Sequence, residues 1–356
     1  MSLPKQPDAC PGVLRPHAAA DGALVRVRLP GGAVEPAQLE LLADLADDAP
    51  LELTSRGNVQ LRGVADLEAA RGRLADAGLL PSATHERVRN IVASPRSAEL
   101  RATAAELDRA LVAHPGLAVL PGRFLFALDD GSRDVAALAA DVEHRDGILH
   151  LDGWPTDLPG TVDVLLGAAQ AFLDLRTDEW RLQDLADGAA RVAAALGGAL
   201  TGPRAVPEPP NPPPVGWFDR PDGSVTLGMG VPLGRLDNRT ARFVAAVEHP
   251  VTVTPWRTLH LHGLEEGAAE TVVRVLAPMG LIFDAGDPLL RVSACVGDRG
   301  CARAEGDSLT HAQDLAGSLG DDERVHVVAC ERGCGAPPGE HRRVVLPLSR
   351  PAGPAA

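Results

Sequence analysis

The chain repeats part of its sequence after 200 residues. Residues 51–64, LELTSRGNVQLRGV, align with residues 251–264, VTVTPWRTLHLHGL, and the apolar positions of the two segments coincide. The similarity extends upstream through a glycine-bounded apolar segment and an amphipathic run in each copy. A repeat with a fixed spacing is typical of a duplicated scaffold. We therefore expect two structurally equivalent units in this chain.

Each copy of the repeat predicts a strand, a helix, a pair of strands and a second helix. The helical segments place apolar residues at helical spacing, and the strand pairs alternate with period two. The predicted elements cover residues 23–29, 36–47, 51–64 and 66–79 in the first copy, and 224–231, 237–247, 251–264 and 265–277 in the second. This order predicts a small ferredoxin-like α+β sandwich, with helices on one face of an antiparallel sheet.

A longer segment follows each copy. In the first, we predict a strand at 88–92, a helix at 98–113, a strand at 117–128, and helical segments at 133–143, 161–174 and 180–197. The second repeats the start of that order, with a strand at 289–294, a helix at 308–319, and strands at 324–329 and 342–348.

The predicted fold class is therefore α+β with a duplicated architecture. Two ferredoxin-like half-domains, each followed by a further α+β domain, account for the order of the elements. The predicted boundaries are 10–80 and 81–200 for the first half, 201–215 for a proline-rich linker, and 216–282 and 283–350 for the second half.

The composition limits the classes of function. The 356 residues include 34 Lys and Arg and 48 Asp and Glu, and the resulting net charge of −14 argues against a nucleic-acid or anionic-membrane surface. No apolar run reaches the roughly 18 residues that a membrane span needs. The first residues lack the charged start and apolar core of a signal peptide. We therefore expect a cytoplasmic protein with reduced thiols that binds neither nucleic acid nor membrane.

Four of the five cysteines form two close pairs late in the sequence. Five residues separate Cys295 from Cys301, and three separate Cys330 from Cys334. Such grouped thiols can be metal ligands or disulfides, or their grouping can be coincidence. A reducing compartment disfavours disulfides. The five-residue spacing of the first pair is longer than that of most structural zinc sites. Iron–sulfur ligation fits better, because four thiolates can hold one cluster and glycine-rich loops let backbone N–H groups approach its sulfurs.

One strand of the first copy carries a row of polar side chains. Because alternate side chains of a strand share a face, Val59 and Leu61 should point into the core. The opposite face then carries Arg56, Asn58, Gln60 and Arg62, and the corresponding face of the second copy carries Trp256, Thr258, His260 and His262. Arginine donors bind carboxylates, so a planar macrocycle with carboxylate arms would suit a cleft between the two faces. The alternative is that both faces are merely solvated.

The cysteine spacing in the second half of a duplicated chain resembles that of the sulfite and nitrite reductase superfamily. Residues 54–63 resemble the T-x-R-x-x-x-Q-x-x-G strand of that superfamily, residues 89–90 its R-N segment and residues 120–124 its L-P-x-K-F segment. The resemblance implies that the four cysteines bind one [4Fe–4S] cluster, beside a sirohaem in the reductases. It also makes Arg56, Arg89 and Arg123 candidate catalytic residues.

Leu125 departs from the superfamily pattern, which has a second basic residue at this position for binding a small oxyanion. Other segments, among them Thr-Pro-Trp-Arg at 254–257, resemble the precorrin-3B synthase branch. That branch implies an O2-dependent monooxygenase of aerobic cobalamin biosynthesis, which hydroxylates C20 of precorrin-3A and closes a γ-lactone. An external NADH-linked reductase or ferredoxin would supply electrons. The candidate substrate-binding residues are Arg56, Asn58, Gln60, Arg62, Arg257 and His260.

Two other functions remain open on the sequence. A sirohaem-dependent sulfite or nitrite reductase is disfavoured by Leu125 and by the short chain. A non-catalytic iron–sulfur electron-transfer protein would need neither the arginine strand nor the large scaffold. O2 activation could involve an additional non-haem iron, whose usual site has two histidines and a carboxylate. His260 and His262 are the only close histidine pair that strand geometry would put on one face.

Overall fold

The fold is mixed α+β, and the predicted class is confirmed. The structure, a computed structural model, describes residues 10–320 and 322–346. Within these residues there are eight α-helices and eighteen strands, and the strands form four sheets. No helix in this part of the chain is long and apolar enough to cross a membrane.

The secondary structure follows the predicted order in both copies of the repeat. The first copy contains β1 (His17–Ala19), β2 (Gly22–Val27), β3 (Ala33–Val34), α1 (Pro36–Ala46), β4 (Leu51–Leu53), β5 (Val59–Leu61) and α2 (Leu67–Asp76). The segment after it contains β6 (Ile91–Ala93), α3 (Ala98–Val112), β7 (Phe126–Asp129), β8 (Val142–Arg145), β9 (Ile148–Leu151), β10 (Trp154–Pro159), α4 (Val162–Leu175) and α5 (Gly188–Ala195).

The second half of the chain begins after the proline-rich stretch. The second copy contains β11 (Gly216–Asp219), β12 (Val225–Gly230), β13 (Arg235–Leu236), α6 (Asn238–Ala245), β14 (Val251–Val253), β15 (Thr258–Leu264) and α7 (Glu266–Leu276). The last segment contains β16 (Val292–Ala294), α8 (Ser308–Ala316), β17 (Val325–Val328) and β18 (Arg342–Val345). The predicted continuation of the last strand at 347–348, and the last domain boundary at 350, lie outside the described residues.

The two copies of the repeat interlock by exchanging a short strand. The sheet of the first copy has the order β1-β2-β5-β4-β13, so its edge strand comes from the second copy. The sheet of the second copy has the order β11-β12-β15-β14-β3, so its edge strand comes from the first. Helices α1 and α6 pack together, and Arg242 of α6 donates to Asp44 of α1 at 3.0 Å. One hydrophobic core contains buried residues from both copies.

Several helices begin where the sequence supplies a side-chain acceptor for their free N–H groups. The carboxylates of Asp66, Asp237 and Asp307 and the hydroxyl of Ser97 accept from the first turns of α2, α6, α8 and α3. Helix α1 begins with a proline and a reciprocal Glu35–Gln38 capping pair. These starts explain why the predicted helices are found within a few residues of their expected positions.

Between β7 and α4 the prediction is wrong. The expected helix at 133–143 is replaced by a short 3-10 turn and strand β8, and the long strand expected at 117–128 is strand only at its end. The chain then folds back twice, through β9 and β10, in antiparallel pairs. Both turns are Asp-Gly, at 146–147 and 152–153, with positive φ at both residues. Asp-Gly with this backbone geometry is the preferred two-residue hairpin turn, and it overrides the weak helical pattern.

The cysteine pairs lie at one edge of the last sheet. Strands β16, β17 and β18 are parallel, with α8 connecting the first two. Cys295 directly follows β16, and Cys330 comes two residues after β17 ends. Because parallel strands end at the same edge, their following loops meet there. The fold therefore brings together two cysteine pairs that are about thirty residues apart in sequence.

Candidate active site

A cavity of about 660 Å³ lies between the last sheet and the first copy of the repeat. We call it the cysteine cavity, because all four paired cysteines line it: Cys295, Cys301, Cys330 and Cys334. The other walls include Arg26 of β2, Glu52 of β4, Gln60 of β5 and the neighbouring Arg62, together with Arg257 from the second copy. Of the strand face singled out from the sequence, Gln60 and Arg62 therefore oppose the cysteines, whereas Arg56 and Asn58 do not line this cavity.

The four thiols lie close enough to affect one another. None is in a disulfide. Burial raises the pKa of the Cys334 thiol, and the charges of Cys330, Cys295 and Cys301 raise it further, against the lowering effect of Arg332. Such repulsion between neighbouring thiolates is what a bound cation would relieve.

The donors around the thiols are suited to an iron–sulfur cluster. The backbone N–H of Ala329 donates to the Cys295 sulfur at 3.3 Å. The hydroxyl of Ser308, the first residue of α8, donates to the carbonyl oxygen of Cys295 at 2.8 Å and so holds the same residue in place. Hydrogen bonds to sulfur, such as that from Ala329, stabilise negative charge on a cluster's sulfurs. Within residues 10–320 and 322–346, no group of three or more His, Cys, Asp or Glu side chains is arranged to hold a metal ion. This part of the chain therefore shows no preformed site for a single metal ion, and four thiolates are the ligand set of a [4Fe–4S] cluster.

A second cavity of about 560 Å³ adjoins the first, and Arg26, Thr54, Ser55 and Gly335 line both. We call it the arginine cavity, because its walls carry Arg26, Arg56, Arg123 and Arg181. Its lining also includes Cys10 and Trp180, and the Arg123 guanidinium lies 5.6 Å from the centre of the Trp180 ring.

Arg56 is held at the border of the arginine cavity. Its guanidinium donates to the carbonyl oxygen of Arg123 at 2.9 Å. Burial and the neighbouring charge of Arg181 lower the pKa of Arg56 to about 10. It still carries its positive charge at neutral pH, so this wall offers donors with incomplete charge compensation to an anionic ligand.

Arg28 adds a charge that sequence reasoning missed. Its side chain is 3% exposed, and among the described residues none of its three guanidinium nitrogens has a hydrogen-bond partner. Burial, followed by repulsion from Arg26, lowers its pKa to about 9. Its charge also interacts with Cys10 and Arg56, which line the arginine cavity. Arg28 itself lines neither cavity, so what it offers to an anionic ligand in the arginine cavity is its unpaired charge rather than a contact. A buried charge of this kind is costly until an opposite charge comes near it.

Arg28→Met should therefore stabilise the ligand-free protein by about 1–4 kcal/mol and weaken the binding of a carboxylated tetrapyrrole. The matched control is Arg89→Met. Arg89 is equally buried but donates to both carboxylate oxygens of Asp108 at 2.7 Å, so its loss should destabilise by about 3–5 kcal/mol. Urea unfolding and uroporphyrin binding measure the two effects. If Arg28→Met destabilised the protein as much as Arg89→Met, Arg28 would not be the isolated charge described here.

The structure places two predicted site residues away from the cavities. Arg89 is in the buried ion pair with Asp108 of α3, and its remaining donor reaches the carbonyl of Leu79 at 3.3 Å. Asn58 is buried, and its side-chain oxygen accepts from the backbone N–H of Leu29 at 2.8 Å. Neither lines the cysteine or the arginine cavity. We therefore interpret both as structural and leave them out of the site.

The histidine pair of β15 is also buried rather than exposed to a cleft. The Nε2–H of His260 donates to the carbonyl oxygen of Pro214 at 2.9 Å, and burial lowers the pKa of His260 to about 4. His262 lies between the hydroxyls of Thr252 and Thr226, at 2.9 and 3.2 Å, and burial lowers its pKa too. Neither lines the two cavities. The predicted role of His260 in substrate binding therefore has no support in this geometry.

Comparison with known proteins bears on this site. Residues 15–77 match the family model of the nitrite/sulfite reductase ferredoxin-like half domain. The matched segment contributes Arg26, Arg56, Gln60 and Arg62 to the walls of the two cavities, whereas Arg123, Arg181 and Arg257 lie outside it.

Two further likenesses extend over most of the chain. A precorrin-3B synthase from Sinorhizobium sp is 25% identical over 376 aligned positions, which cover 92% of this chain and 78% of that protein. The structure of the Mycobacterium tuberculosis NirA protein superimposes with a TM-score of 0.71 at 20% identity, covering 88% of this chain and 69% of that one. The latter shows the shared fold. The resemblance to the superfamily, and within it to precorrin-3B synthase, is confirmed.

Arg26 and Arg28 carry a sequence signal that could have identified them. They alternate with Val25 and Val27, which are buried in the shared core. Arg26 pairs with Gln60 across the sheet, so both side chains project from the same face. Extending the period-two analysis from β5 to β2 would have added both arginines to the predicted face.

Proposed function

We propose that the protein is an oxidoreductase that converts precorrin-3A to precorrin-3B. In this reaction O2 supplies a hydroxyl group at the meso carbon C20, and the ring A acetate closes a γ-lactone onto C1. The observation that carries the proposal is that four cysteine thiols and a positively charged wall line two adjoining cavities. The likeness to a precorrin-3B synthase over most of the chain supports the same function.

The cysteine loops would hold the redox group. The donor set fits one [4Fe–4S] cluster with Cys295, Cys301, Cys330 and Cys334 as ligands. When bound, such a cluster supplies electrons one at a time from an external donor, an NADH-linked reductase or a ferredoxin. The reaction balances when one oxygen atom of O2 enters the substrate and the other leaves as water, with two electrons and two protons consumed.

The arginine cavity would hold the substrate. Precorrin-3A is ringed with acetate and propionate arms, and Arg26, Arg56, Arg123 and Arg181 present donors around a cavity of about 560 Å³. Arg181 also donates to Asp141 at 2.7 Å, so its charge is partly compensated. Arg26, Arg56 and Arg123 therefore present the less compensated charges to carboxylate arms, and the buried Arg28 adds its unpaired charge nearby.

The reductase alternative lacks a feature at position 125. Leu125 is buried with Val92 and Ala127 in a small apolar core, and its N–H donates to the carboxylate of Asp141 at 2.7 Å. Its side chain lines neither cavity. A second basic group for binding a small oxyanion is therefore not provided here. A simple electron carrier, for its part, has no use for a charged cavity of this size.

The decisive test is incubation of the reduced, cluster-loaded protein with precorrin-3A and ¹⁸O2. The product should gain one ¹⁸O atom by mass spectrometry, and protein isolated without oxygen should be brown with a broad iron–sulfur absorption. Reduction of sulfite or nitrite, with sharp Soret and red bands in the isolated protein, would instead establish the sirohaem reductase.

A further inference from the structure

Arg62 is held by two carboxylates and a backbone carbonyl of the protein, through its Nε and one terminal nitrogen. Its Nε donates to both carboxylate oxygens of Glu52, at 3.0 and 3.1 Å. One terminal nitrogen donates to both oxygens of Asp21 at 2.9 Å, and the same nitrogen reaches the carbonyl oxygen of Gly300 at 3.3 Å. Burial lowers the pKa of Arg62, but Glu52 and Asp21 outweigh that effect and raise it. The charge of Arg62 is thus compensated by Asp21 and by Glu52, so it is less available to a substrate carboxylate than an unpaired arginine would be.

Glu52 links this arginine to the second copy of the repeat. Arg235 of the exchanged strand β13 pairs with Glu52 in the sheet register and donates to the same carboxylate. Gln60 donates to Glu52 as well, at 3.2 Å. The side chains of Arg62 and Glu52 are only 12% and 13% exposed, so these contacts are little screened by water. Glu52 therefore orients the Arg62 side chain, and Glu52 is itself held by side chains from both copies of the repeat.

Gly300 is the residue before Cys301, and it leaves no room for a side chain. A Cβ atom there would lie 2.5 Å from the Asp21 carboxylate and 2.7 Å from the Arg62 guanidinium. The first cysteine loop, residues 296–302, therefore packs directly against the Asp21–Arg62 ion pair.

The second cysteine loop has an equivalent contact from the other copy. Arg257 donates to the carbonyl oxygen of Gly335, the residue after Cys334. Arg257 follows β14 and has a positive φ of 59°, which turns the chain at this point. Burial lowers the pKa of Arg257 to about 10, with Glu52 acting in the opposite direction. Each cysteine loop therefore accepts a hydrogen bond from one arginine of the repeat, and these two arginines come from different copies. The second loop is also held from its own sheet, because Arg343 of β18 donates to the carbonyl oxygens of Cys330 and Glu331.

We infer that Arg62 and Arg257 are positioning residues that dock the two cysteine loops onto the interlocked sheets, and that Glu52 holds Arg62 in this role. This revises the sequence prediction, which assigned both arginines to substrate binding. The inference rests on the proposed function only in taking the cysteines as cluster ligands. It follows that Arg62 and Arg257 of the cysteine cavity hold the cysteine loops, whereas the ligand is held by the arginines of the arginine cavity.

Hydrogen exchange of the full-length protein tests this inference loop by loop. Arg62→Gln should speed exchange about tenfold in residues 296–302 and not in 330–336, and Arg257→Gln should do the reverse, since each removes one hydrogen bond from a charged donor. Glu52→Gln should loosen 296–302 as Arg62→Gln does. Arg62→Gln should also lose iron to a chelator about tenfold faster while the dissociation constant for uroporphyrin changes less than about threefold.

The matched control is Arg73→Gln, which removes an exposed ion pair with Asp44 outside both cavities and should leave both loops unchanged. Unchanged exchange in 296–302 with a tenfold or greater loss of uroporphyrin affinity in Arg62→Gln would overturn the inference. Equal loosening of both loops by each variant would also overturn it, because that pattern indicates general destabilisation. Neither outcome depends on turnover, so a failure of the proposed reaction is distinguishable from a failure of this inference.

Discussion

Replacing Cys330 with serine is expected to give a folded protein that has lost its [4Fe–4S] cluster and its activity. Serine keeps the size and hydrogen bonding of the side chain but removes the thiolate that iron prefers. The cysteine lies in a loop beyond the end of β17, outside the apolar core of the last sheet, so the fold should survive. Iron and acid-labile sulfide analysis and the visible spectrum measure the loss directly.

Cys10→Ser is the matched control for this experiment. Cys10 lines the arginine cavity rather than the cysteine cavity, so its replacement should leave the iron and sulfide content unchanged. Full iron and sulfide in Cys330→Ser would exclude Cys330 as a ligand. Loss of the cluster in both variants would mean that the assignment of the four ligands is wrong.

Gly32→Ala is expected to have the largest effect on stability. Gly32 lies at the crossing of the two copies, just before the exchanged strand β3, with a φ of +71°. A Cβ atom there would lie 2.0 Å from the carbonyl oxygen of Val253, on the neighbouring strand β14. Neither the backbone at Gly32 nor the backbone at Val253 can move away from this clash without breaking the pairing of β3 with β14. We expect a loss of at least about 4 kcal/mol in the free energy of unfolding, or failure to fold.

Gly78→Ala separates this clash from the cost of the backbone conformation. Gly78 has nearly the same φ, +73°, but an added methyl group there would meet no heavy atom of the described residues within 4 Å. Its substitution should therefore cost only the left-handed conformation, about 1–2 kcal/mol. Thermal and urea unfolding of the two variants compare them. Equal destabilisation would show that the close approach of the two copies does not matter.

Much of the site could be predicted because its parts have local signatures. The four cysteines are the closest grouping of thiols in the sequence, and the parallel strands β16 and β17 bring their loops together. The alternation around Gln60 correctly identified a face that lines the cysteine cavity. These features depend on spacing along one segment, which is what a sequence displays.

The interlocking of the two copies could not be predicted. Strands β3 and β13 have only two residues each, too short to show an alternating pattern, and their partners lie about 200 residues away. The role of Arg62 could not be predicted either, because the sequence does not show which residues contact its side chain. The sequence shows a charged side chain on a strand face, but not that Glu52 and Asp21 compensate it or that Gly300 lies against it.

The buried arginines also differ in their surroundings in a way that the sequence does not show. Arg28 and Arg89 are both arginines in apolar surroundings with nearly equal burial. Asp108, which pairs with Arg89, lies nineteen residues further along the chain on α3, and no corresponding carboxylate from the described part of the chain reaches Arg28. Only the three-dimensional structure separates an arginine that stabilises the fold from one that is available to a ligand.

The central claim is that a carboxylated tetrapyrrole and the cluster occupy adjoining cavities of one site. EPR of the reduced, cluster-loaded protein with bound copper(II) uroporphyrin tests it directly, because both centres are paramagnetic. We predict dipolar broadening of the cluster and copper signals, which disappears when Arg28→Met or Arg56→Ala prevents the macrocycle from binding. Two unperturbed signals, at concentrations where the macrocycle is shown to be bound, would contradict the account.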